Sequence, residues 1–235
     1  MQKVINRPEE SLLWRAGREL AKRTLPNSLM ERRRAARKSE FFRQAGVVFV
    51  HVPKAAGTSI ATEVYAGHVG HFSIRNILEA CPPDVLELPR FTIVRNSWER
   101  AVSAYEFVRS GRGFGGNTAK IRNASSYQRE DCATFDRFVR SRLVNHGVDR
   151  LDHVFRRQVF YTSMKDGTMP FDHIGYVDSM EDTEAWLSEA LGRLIKFGHH
   201  NISKKAAWRD YYTPDLVNII GDLYHDDIQA FGFSY

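Results

Sequence analysis

Val47, Val48, Phe49 and Val50 form an unbroken apolar run that Pro53 closes. A run this short and this rich in β-branched residues predicts a strand buried on both faces, over 47–52. Arg90-Phe-Thr-Ile-Val-Arg95 predicts a second such strand over 90–95, and His173-Ile-Gly-Tyr-Val177 a short one over 173–177. Between these runs the apolar spacing changes to three and four residues, the period of a helix. Helices are therefore predicted over 58–66, 97–108, 133–145, 180–195 and 214–231, with Ser97 as the N-cap of the second. Trp98, Val102 and Tyr105 share one face of that helix and are expected to turn to the core. At the N-terminus Leu12, Leu13, Ala16, Leu20 and Ala21 make a helical stripe over 9–25, ended by Pro26, and ERRRAARKSE reads as a charged helix or linker. Strands alternating with helices predict an α/β fold: a three-layer α/β/α domain with a mostly parallel central sheet. Residues 110–131 are polar and glycine-rich, too long for a plain connection, and are read as functional or mobile.

Charge divides the chain where the periodicity does not. Residues 1–45 hold twelve Lys or Arg against five Glu, while the rest of the 235 residues hold 22 against 23 Asp or Glu. The pI near 9.4 thus describes a basic helical N-terminal extension, 1–45, and not the domain at 46–235. Such an extension is expected to be a solvated helix, with contact to a membrane surface kept open. No aromatic interleaving or known motif accompanies it, so no nucleic acid partner is expected. No stretch approaches the ~20 apolar residues of a membrane span, and no apolar secretory core is seen near the start. Cys81 and Cys132 offer neither a disulfide framework nor metal-ligand spacing. A reducing, cytoplasmic setting is the expectation, and no metal is expected.

The segment directly after the first strand, HVPKAAGTSI at 51–60, is where chemistry enters. A strand-to-helix loop at the carboxyl end of a parallel sheet aims free backbone N–H groups and a helix dipole at one spot. Gly57 would allow an anion close, Thr58 and Ser59 add hydroxyl donors, and Lys54 adds a point charge. A Walker A loop does the same work but places its lysine after the glycines, at the start of the helix. Here Lys54 precedes Gly57, so an ATP-using kinase fits less well.

A second motif, VRNSWERAVSAY, sets Arg95 at the end of a strand and Ser103 eight residues later in the next helix, with Arg100 between. Arg95 could also pair simply with Glu99 or Glu106. Together the two motifs resemble the carbohydrate sulfotransferases that use 3′-phosphoadenosine 5′-phosphosulfate, of the Golgi and heparan 2-O-sulfotransferase type. Pro53-Lys54-Ala55-Ala56-Gly57-Thr58-Ser59 matches the family's 5′-phosphosulfate loop. Arg95 through Tyr105 matches its 3′-phosphate segment, except that Ser97 stands where proline is usual. The ending HHNISKKAAWRDYY…LYHDDIQAFGFSY is similar to that of Golgi-type members, so the likeness covers 46–235.

The resemblance implies a P-loop-like sulfotransferase fold and a donor site. In it Lys54 faces the bridging oxygen, and Ala55, Gly57, Thr58 and Ser59 cradle the 5′-phosphate. Arg95 and Ser103 clamp the 3′-phosphate, while Asn201, Ser203 and Lys204 close over the nucleotide, with His199 and His200 in the same loop. The implied acceptor is a glycan or a small hydroxylated molecule, and the implied reaction needs a base but no metal. In the heparan branch a histidine in a comparable Gly-x-His stretch is that base, which favours His71, then His68. Glu63 and His153 remain alternatives. A protein that holds adenosine bisphosphate without turnover is the rival from another class, and a P-loop kinase using ATP and magnesium is a further one.

Overall fold

The computed structural model describes residues 27–65, 67–111, 121, 124–198 and 208–235. The predicted helix at 9–25 lies outside them. Helices α1 (Asn27–Ala36) and α2 (Ser39–Ala45) lead to strand β1 (Val48–Val50). Then come α3 (Gly57–Tyr65), the short α4 (Ile74–Leu78) and α5 (Pro83–Leu86), and strand β2 (Arg90–Val94). Helix α6 (Ser97–Arg109) follows, then α7 (Phe135–Phe138), α8 (Val159–Thr162), β3 (His173–Tyr176), α9 (Met180–Leu191), α10 (Pro214–Leu223) and α11 (His225–Phe231). The strands form one parallel sheet in the order β1-β2-β3, with Val48 opposite Arg90 and Phe91 opposite His173. This is the α/β architecture that the apolar runs predict. Residues of β1 and β2 are buried nearly throughout, as a strand without polar alternation must be.

Two apolar clusters hold the molecule. One surrounds the sheet and joins Phe42, Phe49, Tyr65, Ile74, Phe91, Ile93 and Leu187. Ala35 and Phe42 belong to it, so the described part of the basic extension packs on the domain through two fully buried side chains. The other is helical, built on α6 with Phe135, Phe138, Leu216 and Ile220. Trp98, Val102 and Tyr105 all face it.

Local details differ from the sequence expectations for identifiable reasons. Asn96, not Ser97, caps α6: its side chain accepts from the Trp98 N–H at 3.1 Å, and Ser97 is the buried first helical residue. Asparagine is at least as good a cap as serine and stands one residue earlier. The helix predicted over 133–145 begins at Phe135 after the Thr134 cap and widens into a π-helical turn at Val139–Val144. The helix predicted over 214–231 is broken at Tyr224, whose buried hydroxyl donates to the Phe155 carbonyl at 2.8 Å. Within the 110–131 stretch, Ala124–Gln128 and Glu130–Cys132 are short 3-10 turns. No helix of the described residues is long and apolar enough to cross a membrane.

Candidate active site

Beyond β1 the chain turns through residues 51–56 into α3. Lys54 and Ala56 both lie in the left-handed region, at φ of +68° and +54°, unusual for residues with a Cβ. Each such residue costs on the order of 1–3 kcal/mol and persists where the surroundings impose it. Left-handed residues on either side of Ala55 make a tight turn, in which the Ala55 N–H donates to the Val52 carbonyl at 3.3 Å. The first-turn N–H groups of α3, at Gly57 and Thr58, have no partner within the helix. Thr58 is exposed and Ser59 half-buried at this corner, and Ala55 is buried beneath it.

Gly57 has a reason that the sequence did not disclose. A Cβ there would stand 1.9 Å from His51 Nε2, so glycine is needed to admit an imidazole. A Gly57→Ala chain is expected to lose about 1–3 kcal/mol through overpacking. Adding His51→Ala should restore part of that loss, so a double-mutant cycle of denaturant midpoints should show positive coupling.

His51 belongs to a cluster drawn from three separate segments. Its buried ring stacks on Phe49, with centroids 5.4 Å apart, and lies 4.1 Å from the ring of His71. His71 in turn is 5.2 Å from His153 and 6.2 Å from His68. His71 Nδ1 is 3.1 Å from the His51 carbonyl oxygen. A carbonyl only accepts, so Nδ1 carries the proton and Nε2 keeps its lone pair in the neutral ring. Burial, and then the neighbouring His153, holds His71 down to about 3. Burial likewise holds His51 well below the usual imidazole range. The ordinary imidazole value near 6.5 therefore does not apply to His71 in the folded chain. His68 is exposed, and its carbonyl accepts from Lys38 Nζ at 2.6 Å. Glu63 is exposed on α3.

The second motif meets the first across the end of the sheet. Arg95 Nη1 donates to the Lys54 carbonyl at 3.3 Å, and Nη2 to Glu99 Oε1 at 2.8 Å. The pairing with Glu99 that the sequence left open thus exists, and it orients the guanidinium beside the loop. Glu99, Ser103 and Phe107 follow one another at four-residue intervals and share a stripe of α6. Lys54 Nζ lies 4.4 Å from the Phe107 ring centroid. Half-buried Ser103 therefore sits between the residues that hold Arg95 and Lys54. Gln158 fixes the backbone here: its Oε1 accepts from Arg95 N at 3.0 Å and its Nε2 donates to Arg95 O at 2.8 Å.

Beneath both motifs lies Arg100, 1% exposed. Its guanidinium donates to the carbonyls of Pro53 at 3.5 Å, Val154 at 3.3 Å and Arg156 at 2.7 Å. It also lies 3.7 Å from the fully buried Asp227 carboxylate and 5.2 Å from the Tyr224 ring. Asp227 accepts from the N–H groups of Gln158 and Val159, at 2.8 and 2.9 Å. Burial pushes the Asp227 carboxyl up, with Arg100 opposing. Arg100, Asp227 and Gln158 thus join the lysine loop, the His153 turn and Arg95 through one buried network.

The structure brings Lys54, Ala55, Gly57, Thr58, Ser59, Arg95, Ser103 and His71 to one end of the sheet. Asn201, Ser203 and Lys204, with His199 and His200, lie outside the described residues. His51 was missed, and its position at the end of a buried strand just before the lysine motif was the available signal. Nothing local marks Gln158 or Asp227. Among the described residues no cluster of His, Cys, Asp and Glu is arranged to hold a metal ion.

Comparison with known proteins gives one finding. A family model described as "Sulfotransferase family" matches residues 83–234, which include the Arg95 segment but not the loop at 53–59. No curated protein and no solved structure matches the chain.

Proposed function

Since this chain belongs to the sulfotransferase family, and so to proteins of sulfuryl transfer, we propose that its donor is 3′-phosphoadenosine 5′-phosphosulfate and its acceptor a hydroxyl of a sugar or glycan. The observation that carries the reading is the bond from Arg95 Nη1 to the Lys54 carbonyl, which makes one site of two motifs 41 residues apart. The residues present fit a donor with two separated phosphates. A strained turn and a helix start offer N–H groups on one side, and an oriented guanidinium and a hydroxyl lie on the other.

When bound, the donor supplies the sulfuryl group and the leaving phosphate. Lys54 then offers a charge where negative charge grows on the leaving oxygen, which lowers the barrier rather than the ground state. Thr58, Ser59 and the N–H groups of Gly57 and Thr58 hold the 5′-phosphate. Arg95 and Ser103 hold the 3′-phosphate. His71 Nε2 takes the proton of the acceptor hydroxyl, with the ring fixed by its Nδ1–H bond to His51. Helices α6 and α8 and the buried Arg100 position these groups in advance, which removes orientational cost from the reaction. A cytoplasmic setting belongs to the same reading, supported by two free, buried cysteines.

The test is transfer of labelled sulfate from the donor to a library of hydroxylated acceptors, paired with calorimetry of the nucleotide. Adenosine 3′,5′-bisphosphate is expected to bind at least ~10-fold more tightly than AMP, since charge-assisted bonds to the 3′-phosphate contribute ~1.5–3 kcal/mol each. Equal affinities would remove the 3′-phosphate clamp from Arg95 and Ser103. Tight bisphosphate binding with no product on any acceptor would favour a binding protein without turnover.

A further inference from the structure

The residues of α1 divide by face. Ala35 is fully buried in the cluster around the sheet, and its carbonyl lies 3.9 Å from the Cys81 thiol. Glu31 accepts from Asn76 on α4 at 3.2 Å, and Arg32 pairs with Glu79 at the end of that helix. Residues 31, 32 and 35 thus form the side of α1 that packs on the domain. Met30, Arg33 and Arg34 lie on the other side, and the Arg37 N–H still donates to the Arg33 carbonyl at 3.3 Å, which keeps Arg37 in helical register. Positions 30, 33, 34 and 37 have the i, i+3, i+4, i+7 spacing that gathers side chains into one stripe. All three arginines of the stripe are exposed, and Met30 is half-buried at its centre.

The described residues leave this stripe positive. Arg33, Arg34 and Arg37 form no ion pair with any of them, whereas the neighbouring charges are engaged. Lys38 donates to the His68 carbonyl at 2.6 Å, and Arg43 pairs with Asp84 and Glu40. Glu40, the next acid after Arg37, accepts from Arg43 at 3.2 Å and from Gln44 at 3.0 Å. The imbalance is that of the whole chain, since residues 1–45 carry twelve Lys or Arg against five Glu and residues 46–235 carry 22 against 23 Asp or Glu. The excess positive charge therefore lies in the segment to which α1 belongs.

A convex helix face offers each guanidinium to a different part of whatever it meets and encloses no small ligand. It matches a broad layer of negative charge better than a discrete anion. Anionic lipid headgroups form such a layer, and Met30 supplies an apolar contact at the boundary between headgroups and acyl chains. We propose that the face of α1 formed by Met30, Arg33, Arg34 and Arg37 docks this protein on an anionic membrane surface. The docking needs neither donor nor acceptor and stands apart from the sulfotransfer reading. It bears on the candidate site all the same: α1 packs on α4, and the α4 cap Ser73 follows His71 by two residues. A chain docked through α1 thus has its histidine segment held in a fixed orientation to the lipid.

The experiment measures sedimentation of the full chain with vesicles of phosphatidylcholine alone and of phosphatidylcholine and phosphatidylserine in equal parts. Wild type is expected to bind the second and not the first, and to release as salt is raised, because exposed charges are screened beyond ~10 Å at 0.1 M. An arginine near such a surface contributes about fivefold to partition, so Arg33→Gln, Arg34→Gln and Arg37→Gln together should lower it about a hundredfold. The same charge removed elsewhere, by Arg150→Gln, Lys165→Gln and Arg193→Gln, should lower it far less. Lysine at all three α1 positions should keep most of the binding, since a lipid surface reads charge and not a planar fork. Thermal unfolding is the folding control, as exposed substitutions of this kind leave stability nearly unchanged. Absence of binding, equal binding to both vesicles, or equal losses in the two glutamine triples would overturn the docking face. Loss of binding in the lysine triple would overturn it as well, because it would mean a ligand with defined geometry. Tighter binding to polyglutamate or to duplex RNA than to the anionic vesicles would overturn the assignment to a membrane.

Discussion

An Arg100→Ala chain is expected to lose about 3–5 kcal/mol of folding stability. The reason lies in what the guanidinium leaves behind. Three carbonyls, at Pro53, Val154 and Arg156, lose a charged donor, and the fully buried Asp227 loses its cation. Uncompensated buried charge is among the few causes of losses this large. Chemical unfolding of the variant should therefore show a far lower midpoint with an unchanged slope. Arg100→Lys should recover little of the loss, because one ammonium cannot reach three carbonyls arranged around a planar fork. A midpoint shift worth less than about 1 kcal/mol would mean that Arg100 is dispensable to the network. Bisphosphate binding, measured on whatever fraction folds, should also weaken, since Pro53 opens the lysine loop.

His71→Gln is expected to reduce turnover by ~10²–10⁴-fold while bisphosphate still binds. The pH behaviour makes this assignment specific. The ring is held to about 3 in the folded chain, against 6.5 in an unfolded one. A base with a depressed value is unprotonated across the neutral range, so the acid limb of kcat/KM due to His71 should lie well below 6.5. Stability follows the same sign. Below 6.5 the unfolded chain binds a proton that the folded chain refuses, so the neutral ring's contribution is present above 6.5 and lost as pH falls toward 3. Wild-type melting temperature should thus drop from pH 7 to pH 5, with a shallower drop in His71→Gln. Near-normal turnover in that variant would move the proton to His68, His153 or Glu63, and an acid limb at 6.5 unaffected by the substitution would do the same.

Local chemistry accounts for what could be read in advance. A continuous β-branched run has one stable disposition, between covered faces, and so β1 and β2 were legible from residues 47–52 and 90–95, while β3 was read at 173–177 only as a short strand and is half-buried. The stripe of Trp98, Val102 and Tyr105 was legible because helical spacing alone puts them on one face. The turn at 53–59 and the helix start after Arg95 were legible because residue order at a strand-to-helix junction marks where the chain leaves the sheet. Ser97 was misread as the cap because two adjacent residues could each serve, and only the backbone path decided for Asn96.

Other features depend on residues far apart in sequence, and no local pattern encodes them. Gly57 stands where it does because His51 occupies the space beside it, a contact between two turns of the folded chain. His71 takes its tautomer from a carbonyl 20 residues earlier, and its depressed basicity from burial that only packing creates. Arg95 is held through Gln158 by a carboxylate near the other end of the chain. The sequence by itself determined the three strands of the sheet and the longer helices between them, because these follow from short-range periodicity. Only the tertiary structure decided which histidines were buried, what Arg100 was paired with and what surrounded the strained loop, because burial and charge balance are properties of the packed chain.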